Sequence, residues 1–136
     1  MRTIIAGSRD LGYSDVLDAI RECGWKITVV LSGTARGVDQ HGELWADRNK
    51  IAIEDYPAAW STWGKSAGYR RNEQMARNAQ ALLAVWDGKS PGTKHMIDIA
   101  TRLGLKVFVW IPKDFRGKEN HHGQTQPPDA SSQRCV

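Results

Sequence analysis

A parallel α/β fold, with a sheet of about five strands and helices on both faces, is the class this sequence predicts. Strand and helix signals alternate in the order β-α-β-α-β-α-β-α-β, the pattern of a parallel sheet with right-handed crossovers. The clearest strand runs are apolar throughout, as strands buried on both faces are. Three loops rich in glycine and small hydroxyl residues fall between a strand and the helix that follows it.

Thr3-Ile4-Ile5-Ala6 is a short apolar run ended by Gly7 and reads as a buried strand. Ser14 is placed to cap a helix running to Cys23, with Asp15 in its first turn and Gly24 at its end. Val16, Leu17, Ile20 and Cys23 give that helix one apolar stripe. Ile27 to Leu31 is a second strand, and a helix is expected from about Val38 to Arg48. Ile51 to Tyr56 is a weaker strand stopped by Pro57. Ala58 to Gly68 reads as a loop, and Arg71 to Asn78 as a short helix. Ala81 to Trp86 is a strand, and Asp87 to Gly92 a turn-rich loop. A helix from Thr93 to Leu103 carries Met96, Ile97, Ala100 and Leu103 on one side; Gly104 stops it, and Lys106 to Ile111 is the last strand. Residues 1–112 thus form one domain. Residues 113–136 are polar and aperiodic, and read as a flexible tail.

The chain has 136 residues, a net charge of +4 and an isoelectric point near 9.3. That balance suits phosphate-bearing ligands, and no polybasic run marks a nucleic-acid arm. Six tryptophans are many for this length and are expected in the core or a pocket wall. Cys23 falls in an apolar helical pattern and Cys135 in the polar tail, which fits a reducing cytoplasm. No run is apolar enough for a leader or a membrane span. His41 and His95 stand alone and His121-His122 lacks other ligand types nearby, so no metal site is expected.

In a parallel sheet, every strand end that leads into a helix lies on one edge, where ligands bind. The three loops there are Gly7-Ser8-Arg9, Ser32-Gly33-Thr34-Ala35-Arg36-Gly37, and Gly88 to Thr93 with Pro91-Gly92-Thr93 at its end. Unpaired N–H groups at helix N-termini favour anions, and glycine lets the backbone come close. Ser32, Thr34 and Thr93 hydroxyls can add donors, and Arg9 and Arg36 can add charged bonds to phosphate, so the Ser32–Gly37 loop is expected to carry the phosphate, with Gly7 to Arg9 and Pro91 to Thr93 completing the pocket. Asp39 can support the loop or hold a ribose hydroxyl. Trp86, Trp60, Trp63 and Tyr69 can wall a base, with Trp86 better placed than Trp110.

Ser32 to Asp39 resembles the GxARGxD signature of the SMF/DprA group of the SLOG superfamily. Gly7-Ser8-Arg9 is similar to that superfamily's first-strand motif. Tyr69-Arg70-Arg71-Asn72 resembles its R-x-N element, and Ser90-Pro91-Gly92-Thr93 resembles the PGGxGT loop of Lonely Guy phosphoribohydrolases. Together the motifs look most like the YspA/YpsA-related SLOG family. The resemblance implies a Rossmann-like fold and a nucleotide-derived ligand, with Arg71 and Asn72 approaching it. It leaves three outcomes open: a sensor or sequestering module, an N-glycosidic hydrolase, or single-stranded nucleic-acid binding. Hydrolysis would need a carboxylate beside the anomeric carbon. Met96 stands where the Lonely Guy pattern has glutamate, and Asp98 is about 200° further round a helix. The candidates left are Glu73 and Asp39. No cofactor is required, apart from Mg accompanying a ligand pyrophosphate, and a homo-oligomer, dimer or higher, is expected by the same resemblance.

Overall fold

A computed structural model describes residues 1–113. The elements are β1 (Arg2–Gly7), α1 (Tyr13–Cys23), β2 (Val29–Ser32), α2 (Val38–Arg48), β3 (Ala52–Asp55), α3 (Trp60–Trp63), a 3-10 turn (Gly64–Ser66), α4 (Ala67–Arg77), β4 (Ala81–Val85), α5 (Pro91–Arg102) and β5 (Lys106–Trp110). All five strands are parallel and run in the order β3-β2-β1-β4-β5. The predicted fold class is therefore observed. The stretch expected to be a tail lies, from residue 114 on, outside the described residues.

Two cores explain why the sheet is apolar on both sides. Ile5, Val30, Leu83, Val85, Phe108 and Trp110 point to one face, where Val16, Ala19 and Cys23 of α1 and Val38 and Ala46 of α2 cover them. Ile4, Ala6, Leu31, Leu82 and Ala84 point to the other, against Met75 and Ala76 of α4 and Met96, Ile99 and Ala100 of α5. The chain grows outward from β1 to β3, then returns to place β4 beside β1. The helices change face at that return, as right-handed crossovers require. The crevice between the β1 and β4 ends is therefore the switch point of the sheet.

Local differences from the sequence reading have local causes. Helix α1 begins at Tyr13, because the Asp15 carboxylate accepts the Gly12 N–H at 2.9 Å and moves the cap upstream of Ser14. Helix α4 begins at Ala67 rather than Arg71. Gly68 is helical and packs beside Trp60, where a Cβ would lie in ordinary contact at 3.4 Å. Glycine is part of a helix here, not a turn. The segment ahead of it holds α3 and the 3-10 turn, neither with a buried residue. At the sheet edge, Arg2 makes a two-pronged pair with Glu54 at 2.7 and 2.8 Å, and Tyr56 donates to the same carboxylate.

Helix α2 lies flush on β1 at Gly42, where a Cβ would come within 2.9 Å of Ile5 Cγ2. Gly→Ala in an exposed helix stabilises by about 1 kcal/mol. Gly42→Ala is expected to do the opposite and destabilise by about 1–3 kcal/mol, because fully buried Ile5 has nowhere to go. Urea unfolding checks this, and a raised midpoint would contradict it.

Candidate functional site

The ends of β1 and β4 are brought together by bare backbone. A Cβ on Gly7 would sit 1.9 Å from the Val85 carbonyl oxygen, so only glycine fits. The next residue, Ser8, donates its N–H to that carbonyl at 3.1 Å. Its buried hydroxyl accepts the Asp87 N–H at 3.0 Å and meets Ser90 Oγ at 3.1 Å. Asp87 in turn accepts the N–H groups of Lys89 and Ser90, both at 2.8 Å. Burial pushes the Asp87 carboxyl up, but these hydrogen bonds outweigh it and hold it below the usual carboxylate range. The β4–α5 loop is thus anchored to β1.

A cavity of about 500 Å³ opens at this switch point, a size suited to a small ligand. Its lining comes from β1 and its loop (Ala6, Gly7, Ser8, Arg9, Asp10), from Ala35 and Asp39, and from Trp60 and Lys65. Helix α4 adds Gly68, Tyr69, Arg71, Asn72 and Met75, and the start of α5 adds Ser90, Pro91, Gly92, Thr93 and Met96. Of the residues singled out from sequence, Gly7, Ser8, Arg9, Ala35, Asp39, Arg71, Asn72, Pro91, Gly92 and Thr93 meet here.

The loop from Ser32 to Gly37 is mostly scaffold. Ser32 Oγ donates to Glu43 Oε2 at 2.5 Å and accepts the Thr34 N–H at 3.0 Å. That contact helps hold Thr34 in a left-handed conformation, φ +64°, that a β-branched residue rarely adopts. The Ala35 N–H goes to Asp39 Oδ2 at 3.1 Å, and the Val38 N–H to the Ser8 carbonyl at 3.3 Å. Gly37, φ +81°, lies so close to Arg9 that a Cβ would be 2.4 Å from its carbonyl oxygen. Gly33 faces the Arg71–Asp39 pair. Arg36 is exposed and outside the lining. Two of this loop's amides, those of Thr34 and Ala35, are therefore already spent within the fold, and so is that of Val38 just after it.

Helix α5 offers the contrasting case. Its first turn follows Ser90 with Pro91, Gly92 and Thr93, and the amides of Gly92 and Thr93 have no helical carbonyl ahead of them. Trp86 is not part of the cavity wall. Its indole N–H donates to the Ser90 carbonyl at 3.1 Å and steadies the same loop.

Arg71 and Asn72 sit in the second turn of α4. Arg71 Nη1 donates to the Gly33 carbonyl at 2.5 Å, and its Nε to Asn72 Oδ1 at 3.0 Å. Asn72 Nδ2 donates to the Gly92 carbonyl at 3.4 Å and meets His95 Nδ1 at 3.1 Å. Burial pushes the Arg71 guanidinium down, while Asp39 pulls it up. Burial pushes the Asp39 carboxyl up to about 6, against the hydrogen bond from Ala35 and the charge of Arg71. Glu73 lies outside the cavity, paired with Arg77 at 2.7 Å, and that bond lowers its carboxyl below the usual range. Tyr69 stacks on His95 with ring centres 4.2 Å apart. Lys65, Asp10 and Met75 were not foreseen. Met75 lies one turn beyond Arg71 and Asn72, and a helix start at Ala67 would have put all three on one face.

Comparison with known proteins agrees with the fold. A family profile described as "YAcAr: YspA, cpYpsA-related SLOG family" matches residues 1–63. The Gene 61 protein of Mycobacterium phage D29 is 36% identical over 86 residues, covering 59% of this chain and 69% of that protein. The X-ray structure of DNA processing protein A (DprA) from Streptococcus pneumoniae matches with a TM-score of 0.64 and 19% identity, over 92% of this chain. That match spans 56% of the DprA chain, so this chain is about half its length, and it establishes the likeness of fold.

Asp39 generates a pH prediction. Its folded value of about 6 exceeds the unfolded 3.8, so the folded state holds the proton more tightly. The stability contributed is full below pH 3.8 and is lost as pH rises to about 6, roughly 3 kcal/mol in all. Asp39→Asn removes this term. The difference in unfolding free energy between the two proteins should therefore move in the variant's favour from pH 4 to pH 7; a constant difference would refute the assignment.

Proposed function

This chain belongs to the YspA, cpYpsA-related SLOG family, and we propose from that premise that its cavity binds a nucleotide-derived ligand, a nucleoside phosphate or an ADP-ribose-like molecule, as a sensor or sequestering module. One observation carries the reading: anion donors and base-sized apolar walls line the same cavity. The first turn of α5, with Arg9 and Lys65, receives the phosphate. The exposed rings of Trp60 and Tyr69, with Met75 and Met96, receive the base. The phosphate thus goes to α5 rather than to the Ser32–Gly37 loop, where the Thr34 and Ala35 amides are occupied and Arg36 lies outside the cavity. A divalent ion enters only as the companion of a ligand pyrophosphate.

The test is calorimetry with nucleoside monophosphates, ADP-ribose and NAD. Arg9→Ala and Lys65→Ala should each weaken the tightest ligand by about tenfold or more. Arg36→Ala should change it by less than about threefold. Equal losses at all three positions would send the phosphate back to the Ser32–Gly37 loop.

Asp39 favours a second reading, hydrolysis of an N-glycosidic bond. It is a buried carboxylate at the cavity, shifted to about 6, as a general base working near neutral pH needs. Chromatography of the same mixtures separates the two. Base released by the native chain and lost in Asp39→Asn supports hydrolysis; ligand recovered intact supports binding alone.

A further inference from the structure

Asp39 and Arg71 face the same cavity and make opposite demands on whatever touches both. Asp39 is 6% exposed, and its Oδ2 already accepts the Ala35 N–H at 3.1 Å. Arg71 spends Nη1 on the Gly33 carbonyl and Nε on Asn72. Its remaining Nη2 passes Gly68, where a Cβ would lie 3.8 Å away. The two charges attract each other, yet their hydrogen bonds run elsewhere: Asp39 accepts from the Ala35 and Gly7 backbone, and Arg71 donates to Gly33 and Asn72. Gly33 lets them converge: a Cβ there would lie 2.6 Å from Arg71 Nη1 and 2.9 Å from Asp39 Oδ2.

Chemistry narrows what fits such a wall. An anion meets a buried carboxylate, and a cation meets a partly buried guanidinium. A neutral group that both donates and accepts satisfies the pair. Of a nucleotide's three parts, the phosphate is excluded by its charge, and the base is better served by the rings and thioethers. The sugar remains, with two neighbouring hydroxyls that each donate and accept.

Resting on the nucleotide reading, we propose that the Asp39–Arg71 wall holds the 2′,3′-diol of a free ribonucleotide. One hydroxyl donates to the Asp39 carboxylate and its neighbour accepts from Arg71 Nη2. The site then rejects deoxyribonucleotides, which leave Asp39 or Arg71 unpaired. It also rejects internal positions of a nucleic-acid chain, whose 3′ oxygen carries a phosphate that the carboxylate repels.

Calorimetry on the whole chain, well above the Asp39 value of about 6, tests this. The ligands are the 5′-monophosphates of adenosine, guanosine, cytidine and uridine, each beside its 2′-deoxy form, and adenosine 3′,5′-bisphosphate. The tightest ribonucleotide is expected to bind about tenfold or more above its deoxy partner, and the bisphosphate to bind more weakly than the adenosine monophosphate. Asp39→Asn, confirmed folded by its thermal transition, is expected to bring the ribo-to-deoxy ratio to within about threefold of one. Should the variant not fold, the ratio in the native chain decides. Ribo and deoxy forms bound equally by the native chain overturn the diol assignment and leave nucleotide binding standing. A bisphosphate bound as tightly as the monophosphate overturns the exclusion of chains. No binding by any of these ligands overturns the nucleotide reading, and this inference with it.

Discussion

The approach of β1 to β4 at Gly7 is the constraint on which the site depends. The Val85 carbonyl occupies the space a side chain at Gly7 would take. Ser8 can then bond that carbonyl with its N–H and brace the β4–α5 loop with its hydroxyl. Asp87 gathers the Lys89 and Ser90 amides on the other side. The first turn of α5 is thereby aimed at the mouth between β1 and β4. Four hydrogen bonds fix its direction before any ligand arrives, and a site arranged in advance loses less entropy on binding.

A second close approach supplies the opposite wall. Gly33 leaves room for Arg71 to reach across from α4 to the β2–α2 loop. This joins an element on one face of the sheet to a loop serving the other. It also keeps a guanidinium beside a carboxylate in a poorly solvated place. Each ion offsets part of the other's desolvation. Asp39 registers that balance as a raised value near 6.

Much of this was legible in sequence, for definite reasons. The central strands announce themselves because burial on both faces demands unbroken apolar runs such as Ala81 to Val85, whereas the largely exposed β3 carries Glu54 and Asp55 and gives a weaker signal. The edge carrying the site follows from topology once the strands are parallel, which is why Ser8, Asp39 and Thr93 could be gathered from sequence, while Arg71 came from the family resemblance. What stayed hidden depends on packing rather than pattern. Gly68 looks like a breaker but lies in the first turn of α4, so the start of α4 and the facing of Met75 were misplaced. Lys65 sits in a 3-10 turn with no period to reveal it. The roles inside Ser32–Gly37 were hidden too, because a run of glycine and hydroxyls looks alike whether its amides face a phosphate or each other.

The same accounting bears on how a carboxylate can work here. Met96 is buried and lines the cavity at the place where the phosphoribohydrolase pattern has glutamate, so that position carries a thioether with no proton to exchange. Asp98, further along α5, is half exposed and paired with Lys94 at 2.9 Å. Asp10 and Asp39 are the carboxylates in the cavity lining, and Asp39, the buried one, is already a structural acceptor through Oδ2. A carboxylate that must also hold the Ala35 amide is not free to swing or to give up its charge without loosening the loop it supports. Accepting a hydroxyl from a bound sugar asks for neither, because the carboxylate keeps its charge and its place. The geometry therefore favours holding a ligand over turning it over, and it does so through the residue that hydrolysis would need most.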